Sequence, residues 1–186
     1  MRPYKCSDSS NPYTRGLGIV VMDMQYPFTR NLNIKEFNSQ IQAMRKVFQF
    51  GMRNDIPLIV VEFEGYGPTI SDISWSLKHF PNKRKTSKRN PDMFTVPELR
   101  SLLYEVDISE LCMTGIYAGR CVLESAISAT NLGLNVMTAS DLISGQPGQI
   151  KRKVAALEWF SSNGKLFQNT DNLLESVEYS PLYTVA

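Results

Sequence analysis

Short apolar runs that alternate with helical periodicity constrain this chain more than any other feature. Residues 16–22 and 58–63 are continuous runs rich in β-branched side chains, and residues 108–115 and 135–141 carry comparable stretches. A strand apolar on both faces must be covered on both faces, which is the condition of a parallel sheet. Between the first two runs, Ile34, Phe37, Ile41, Met44 and Phe48 recur at 3,4,3,4 spacing and predict one helical stripe facing a core. Asn33 and Glu36 form a capping box at its start, and Gly51, Asn54 and Pro57 close it. Pro97 opens a second helix over 97–104. Val122, Ala126, Ala129 and Leu132 mark a third, ended by Gly133, and a fourth over 149–162 is expected to carry Val154, Leu157 and Phe160 inward. With an edge-like strand at 83–89 and a short one at 165–167, the pattern predicts a three-layer α/β/α sandwich around a six-stranded, mainly parallel sheet.

The 186 residues, 42% hydrophobic and 20% charged, suit a single domain over 1–186 whose first fifteen residues, polar and carrying Pro3 and Pro12, read as an irregular arm. No run approaches the ~20 apolar residues that cross a bilayer, and the start lacks an apolar stretch of signal-peptide length, so a cytoplasmic protein with no membrane partner is expected. Cys6, Cys112 and Cys121 are an odd number without CxxC spacing, which argues for reduced thiols and against a disulfide framework or thiolate zinc site. A net charge of +2 gives no long-range field for nucleic acid. The basic cluster over 83–89 has no interleaved aromatics and reads as a solvated face, so no nucleic-acid partner is expected.

Chemistry in such sheets gathers outside the carboxyl ends of the strands. Asp23 directly follows the first strand. The loop 64–68 and the segment 71–77 follow the second and bring Tyr66 and Trp75, which either line a pocket or pack as a lid. Cys121 follows the turn after Gly115 and is expected to be the first residue of a helix, where unpaired N–H groups and the dipole favour the thiolate. Free cysteine more often packs as a small hydrophobe, so Cys121 gains meaning only from partners. A carboxylate that takes a thiol proton, a lysine from the basic segment that holds both charges, and N–H groups at a helix start make a workable nucleophile set.

Three motifs now carry a family resemblance: Val21-Met-Asp23-Met-Gln25-Tyr-Pro-Phe28; Lys88-Arg-Asn-Pro-Asp92-Met-Phe94 with Leu99 following; and Gly115-Ile-Tyr-Ala-Gly-Arg-Cys121-Val122. From about Leu17 to Leu174 the chain resembles the isochorismatase-like cysteine hydrolases, a group that includes nicotinamidases, N-carbamoyl amidases and isochorismatases. The resemblance implies an isochorismatase-like, Rossmann-like fold and a catalytic triad of Asp23, Lys88 and Cys121. Lys88 rather than Lys83 or Lys85 is chosen because it lies six residues before Phe94. It further implies a cis peptide at Ile116-Tyr117 that helps aim the backbone N–H groups of Tyr117 and Cys121 as an oxyanion hole. Gln25 and Phe28 in the first motif, with Tyr66 and Trp75, are the candidate substrate-binding residues. A small-molecule substrate and a homo-oligomer are implied as well.

The chain departs from the nicotinamidases, which hold a metal through an aspartate and two histidines. Only His79 is present, and the comparable segment reads Val-Glu-Phe-Glu-Gly-Tyr-Gly, so no metal and no cofactor are expected. Glu62 and Glu64 read as solvated or structural carboxylates. The expected function is metal-independent amidohydrolysis: cleavage of an amide or carbamoyl C–N bond through a Cys121 thioester. Two alternatives stay open, an isochorismatase-type vinyl-ether hydrolase and a catalytically silent binding member.

Overall fold

The computed structural model describes residues 16–178, so the expected arm over 1–15, with Cys6, lies outside them. In chain order, β1 (Leu17–Met22) leads through the single turn α1 (Tyr26–Thr29) into α2 (Ile34–Arg53). β2 (Leu58–Phe63) leads through α3 (Ser71–Ser76) into β3 (Lys83–Lys88). A 3-10 turn at Met93–Thr95 precedes α4 (Pro97–Glu105) and β4 (Glu110–Ile116), and a π turn at Ala118–Val122 runs into α5 (Leu123–Asn131). β5 (Asn135–Ala139), β6 (Ile143–Ser144), α6 (Ile150–Asn163), β7 (Lys165–Phe167) and α7 (Thr170–Glu178) complete the described chain.

Every strand pairing is parallel, in the order β3-β2-β1-β4-β5-β7 with β6 beside the end of β4. The seventh strand, absent from the sequence reading, is β6; it pairs only Ile143 and Ser144 with Gly115 and Ile116, too few residues to leave a period. Side chains alternate across the sheet as the two-residue strand period requires. Ile19 and Val21 of β1 and Leu58 and Val60 of β2 join a core with Met44, Val47 and Phe48 of α2 and Leu173 of α7. Val20 and Met22, with Ile59 and Val61, join the opposite core with Leu99, Leu103, Ala126 and Phe160 of α4, α5 and α6. Two buried layers explain why β1 is apolar at every position.

Asn33 caps α2 as expected, its side chain accepting from the N–H groups of Lys35 and Glu36, while the Glu36 carboxylate pairs with Lys153 of α6 instead of returning to the cap. Two positions expected in the core, Ile34 and Val154, are not there. Ile34, in the first turn of α2, is largely exposed. Leu132, expected within the third helix, lies past the last turn of α5. Val154 is half exposed because α6 buries Ala156 and Phe160, a stripe roughly half a turn round from Val154.

Candidate active site

The strand order reverses at β1: the chain moves outward through β2 and β3, then returns to place β4 on the other side of β1. The crevice at such a reversal, outside the carboxyl ends, is where open α/β sheets bind ligands. Asp23 leaves β1 there in a left-handed backbone conformation, φ +52°, with its N–H donating to Val61 O at 2.9 Å. Across the crevice, Gly115 of β4 takes φ +116° and lies against the Met22 backbone, where an added Cβ would sit 2.2 Å from Met22 O. Only glycine lets β4 approach β1 this closely before turning. Gln40 of α2 fixes that turn by donating to both Gly115 O and Leu142 O at 2.9 Å.

Lys88 is the last residue of the edge strand β3, yet it is 1% exposed. Its Nζ lies 2.9 Å from Asp23 Oδ2, donates to Pro91 O at 2.6 Å, and sits 5.1 Å from the centroid of Phe63. The following segment is anchored to α5: the Met93 N–H donates to Ser125 Oγ at 2.9 Å, and Ser128 Oγ donates to Asp92, which also caps Phe94. The other cations of the cluster are engaged elsewhere: Lys83 donates to Leu77 O, Arg84 to Lys83 O, Lys85 pairs with Glu62 and Arg89 with Glu64.

Cys121 is buried and lies in the π turn that precedes α5, three residues after the turn begins, not at the first position of a helix as expected. Nor does the dipole make it a resting thiolate. Burial pushes the Cys121 thiol up to about 12, and the Asp23 carboxylate beside it pushes the same way, with Lys88 opposing. Burial likewise raises Asp23, against the pull of Lys88 and hydrogen bonds from Lys88 and Cys121. At neutral pH the proton therefore rests on sulfur, next to a carboxylate able to receive it. Cys112 is fully buried in the sheet and is also pushed to about 12, which marks it as an inert core thiol.

Above these groups is a cavity of about 120 Å³ walled by Asp23, Phe28, Phe63, Tyr66, Ile116, Tyr117, Arg120 and Cys121. Its aromatic side is mutually packed, with Phe28 4.7 Å from Tyr66 and 5.9 Å from Tyr117 between ring centroids, and the Tyr117 hydroxyl donates to Phe28 O at 3.0 Å. The Ile116-Tyr117 peptide bond is cis. The structure thus brings Asp23, Lys88, Tyr117 and Cys121 together, with Phe28 and Tyr66 in the wall.

Gln25 and Trp75 do not join them. Gln25 is fully buried and its amide is consumed in tying loops together: Nε2 donates to Phe63 O and Gly67 O, and Oε1 accepts from the Phe63 N–H at 2.7 Å. It holds the aromatic wall rather than reaching a ligand. Trp75, 71% exposed on α3, points its ring at Lys78 and is absent from the cavity. Sequence reasoning missed Phe63, Ile116 and Arg120 as wall residues, although each ends or follows a strand inside a quoted stretch. Gln40 gave no signal, being far from every motif. Among the described residues, no group of three or more His, Cys, Asp or Glu is placed to hold a metal ion, and no helix is long and apolar enough to cross a membrane.

An isochorismatase domain model matches residues 18–160. Among curated proteins no sequence matches the chain. Among solved structures, a MAR1 ribonuclease from Caenorhabditis elegans superposes with a TM-score of 0.75 at 22% identity, covering 90% of this chain and 82% of that one. The nicotinamidase SaPncA from Staphylococcus aureus gives 0.72 at 21% identity over 82% and 97%, and an isochorismatase-like hydrolase from Alkaliphilus metalliredigens gives 0.72 at 21% over 86% and 98%. At these identities the structural likeness carries the fold.

Proposed function

The chain belongs to the isochorismatase family, and on that footing we propose that it is a metal-independent cysteine hydrolase, cleaving an amide or carbamoyl C–N bond of a small molecule through a Cys121 thioester. One observation supports this above all: Cys121 lies at a small, aromatic-walled cavity beside the buried ion pair of Asp23 and Lys88. A buried carboxylate without a task is expensive, and its nearest reactive neighbour is a thiol.

In the first half-reaction the Asp23 carboxylate accepts the Cys121 proton as sulfur attacks the substrate carbonyl carbon. The carbonyl oxygen gains the electron pair and is received by the backbone N–H groups of Tyr117 and Cys121. Collapse of this intermediate breaks the C–N bond, and the amine leaves with the proton held by Asp23. Water then gives a proton to Asp23, attacks the thioester, and the released thiolate recovers that proton. Throughout, Lys88 holds the carboxylate in place by its ion pair and keeps the charge of the site balanced.

The test is a panel of small amides, N-carbamoyl amino acids and isochorismate, assayed with the wild type and with Cys121→Ala. Turnover of amides or carbamoyl compounds that disappears in Cys121→Ala, with a mass increase on Cys121 trapped by rapid quench, is expected. Isochorismate cleavage that survives Cys121→Ala would replace this reading with ether hydrolysis, and turnover of nothing on the panel with ligand binding retained would replace it with a binding role.

A further inference from the structure

Of the eight residues that wall the cavity, two carry charge, Asp23 and Arg120. The charge of Asp23 is committed to Lys88 at 2.9 Å. Arg120 is exposed while lining the cavity, so it forms part of the opening, and among the described residues it makes no ion pair and no side-chain hydrogen bond. Other surface cations are engaged: Lys85 with Glu62, Arg89 with Glu64, Lys153 with Glu36. The backbone that carries Arg120 is held in place. Arg120 follows Gly119, where an added Cβ would sit 2.4 Å from Arg152 O of α6, and it precedes Cys121, so the π turn has little room to slide.

A guanidinium with no internal partner, one residue from the thiol and at the rim of an apolar cavity, is suited to a planar anion, which it grips through two parallel N–H donors. The cavity limits the rest of the molecule. At about 120 Å³ it is slightly smaller than an apolar cavity of about 150 Å³ that accepts benzene, so the buried body is no larger than one ring. We propose that Arg120 is a specificity-determining residue and that the substrate is a compact carboxylate whose charge meets Arg120 while its scissile carbonyl meets Cys121. The proposal rests on the hydrolase reading above and adds the charge of its substrate.

A pair of alkylating reagents of matched shape tests this without turnover. Iodoacetate carries a carboxylate where iodoacetamide carries a neutral amide; with either, the Cys121 thiolate displaces iodide and forms one S–C bond. Site occupancy is followed by peptide mapping, which separates Cys121 from Cys6 and Cys112. The iodoacetate-to-iodoacetamide rate ratio at Cys121 is expected to fall by about 10–100-fold in Arg120→Gln, the range of a charge-assisted hydrogen-bonded contact, and to recover in part in Arg120→Lys. The same ratio in wild type and Arg120→Gln overturns the proposal. Benzoate and inorganic phosphate as competitors separate the anion classes: protection of Cys121 by benzoate is expected, and protection by phosphate alone overturns the carboxylate assignment.

Steady-state kinetics then separates this proposal from the hydrolase reading. N-carbamoylglycine is expected to exceed its methyl ester in kcat/KM, with the preference lost in Arg120→Gln mainly through KM. Equal kcat/KM for the two in the wild type overturns the anionic substrate while leaving the hydrolase standing. An Arg120-dependent alkylation ratio in a protein that hydrolyses neither compound leaves the anion site standing and counts against the hydrolase.

Discussion

Lys88 Nζ lies 2.9 Å from Asp23 Oδ2, and neither side chain has appreciable contact with solvent, although one residue ends the edge strand of the sheet and the other directly follows a central strand. The ammonium reaches across the end of β2, beneath Phe63, and Pro91 O takes a second of its three protons at 2.6 Å. Two charges withdrawn from water in this way gain little net stability over an apolar pair. Their placement is what a proton acceptor beside Cys121 requires.

Breaking that pair from one side is therefore costly. Lys88→Met leaves the buried Asp23 carboxylate without its counter-charge and is expected to lower unfolding free energy by about 3–5 kcal/mol, read from urea denaturation. The double variant Lys88→Met with Asp23→Asn, which removes both charges, is expected to regain most of the loss while staying inactive. A double variant no more stable than Lys88→Met would show that packing, not charge, holds the site.

The basic segment offers a test of register. Lys85, half exposed, meets the largely buried Glu62 at 2.9 Å, and that carboxylate keeps the N–H and hydroxyl of Thr69 as donors when the lysine is removed. Lys85→Ala is expected to leave hydrolysis within about twofold of wild type, whereas Lys88→Ala is expected to lower kcat by at least about a hundredfold, the scale of losing a positioned catalytic group. Activity loss in Lys85→Ala and not in Lys88→Ala would reassign the lysine.

Much of this architecture was legible in the sequence because buried parallel strands leave continuous apolar runs. β2 occupies the expected 58–63, and β1 and β4 run parallel, so the positions of Asp23 and Cys121 at one sheet edge followed from local pattern. The choice of Lys88 depended on its spacing to Phe94, since composition alone could not rank it above Lys85. What failed depended on tertiary context. Gln25 sits in a motif yet spends its amide on Phe63 and Gly67, a pairing across loops that no periodicity encodes. The resting proton of Cys121 was misjudged because burial and Asp23 outweigh the helix start, and burial is a property of the folded molecule. Val154 misled because apolar residues occupy more than one face of α6.

Gln40 bears on how the turn after β4 is held. Its amide donates to Gly115 O and Leu142 O, both interior, and Leu142 O also accepts from the Gly115 N–H at 3.0 Å, so Gln40→Leu removes one donor from each carbonyl at about 0.5–1.5 kcal/mol per bond. Thermal unfolding is expected to drop accordingly, and kcat to fall with it, because Gly115 begins the stretch that carries Tyr117 and Cys121. Gln40→Leu with native stability would mean that the turn holds without these two bonds.

The protonation of Cys121 yields a prediction in which reactivity and catalysis move in opposite directions. The thiol is held up to about 12 by burial first and by the Asp23 carboxylate second, while Lys88 pulls it down. Removing the carboxylate therefore lowers the thiol pKa, and Asp23→Asn is expected to alkylate faster than wild type with iodoacetamide at pH 8. Each unit of lowered pKa raises the thiolate fraction tenfold but weakens the nucleophile, leaving a net gain of about threefold. Hydrolysis by the same variant is expected to be lost, since no group remains to take the proton during attack. In the wild type the alkylation rate should still be rising past pH 9, where an ordinary thiol levels off, and the Asp23→Asn profile should level off at lower pH. Superimposable profiles would show that Asp23 does not hold the Cys121 proton in place, and the proton-transfer role given to it would fall.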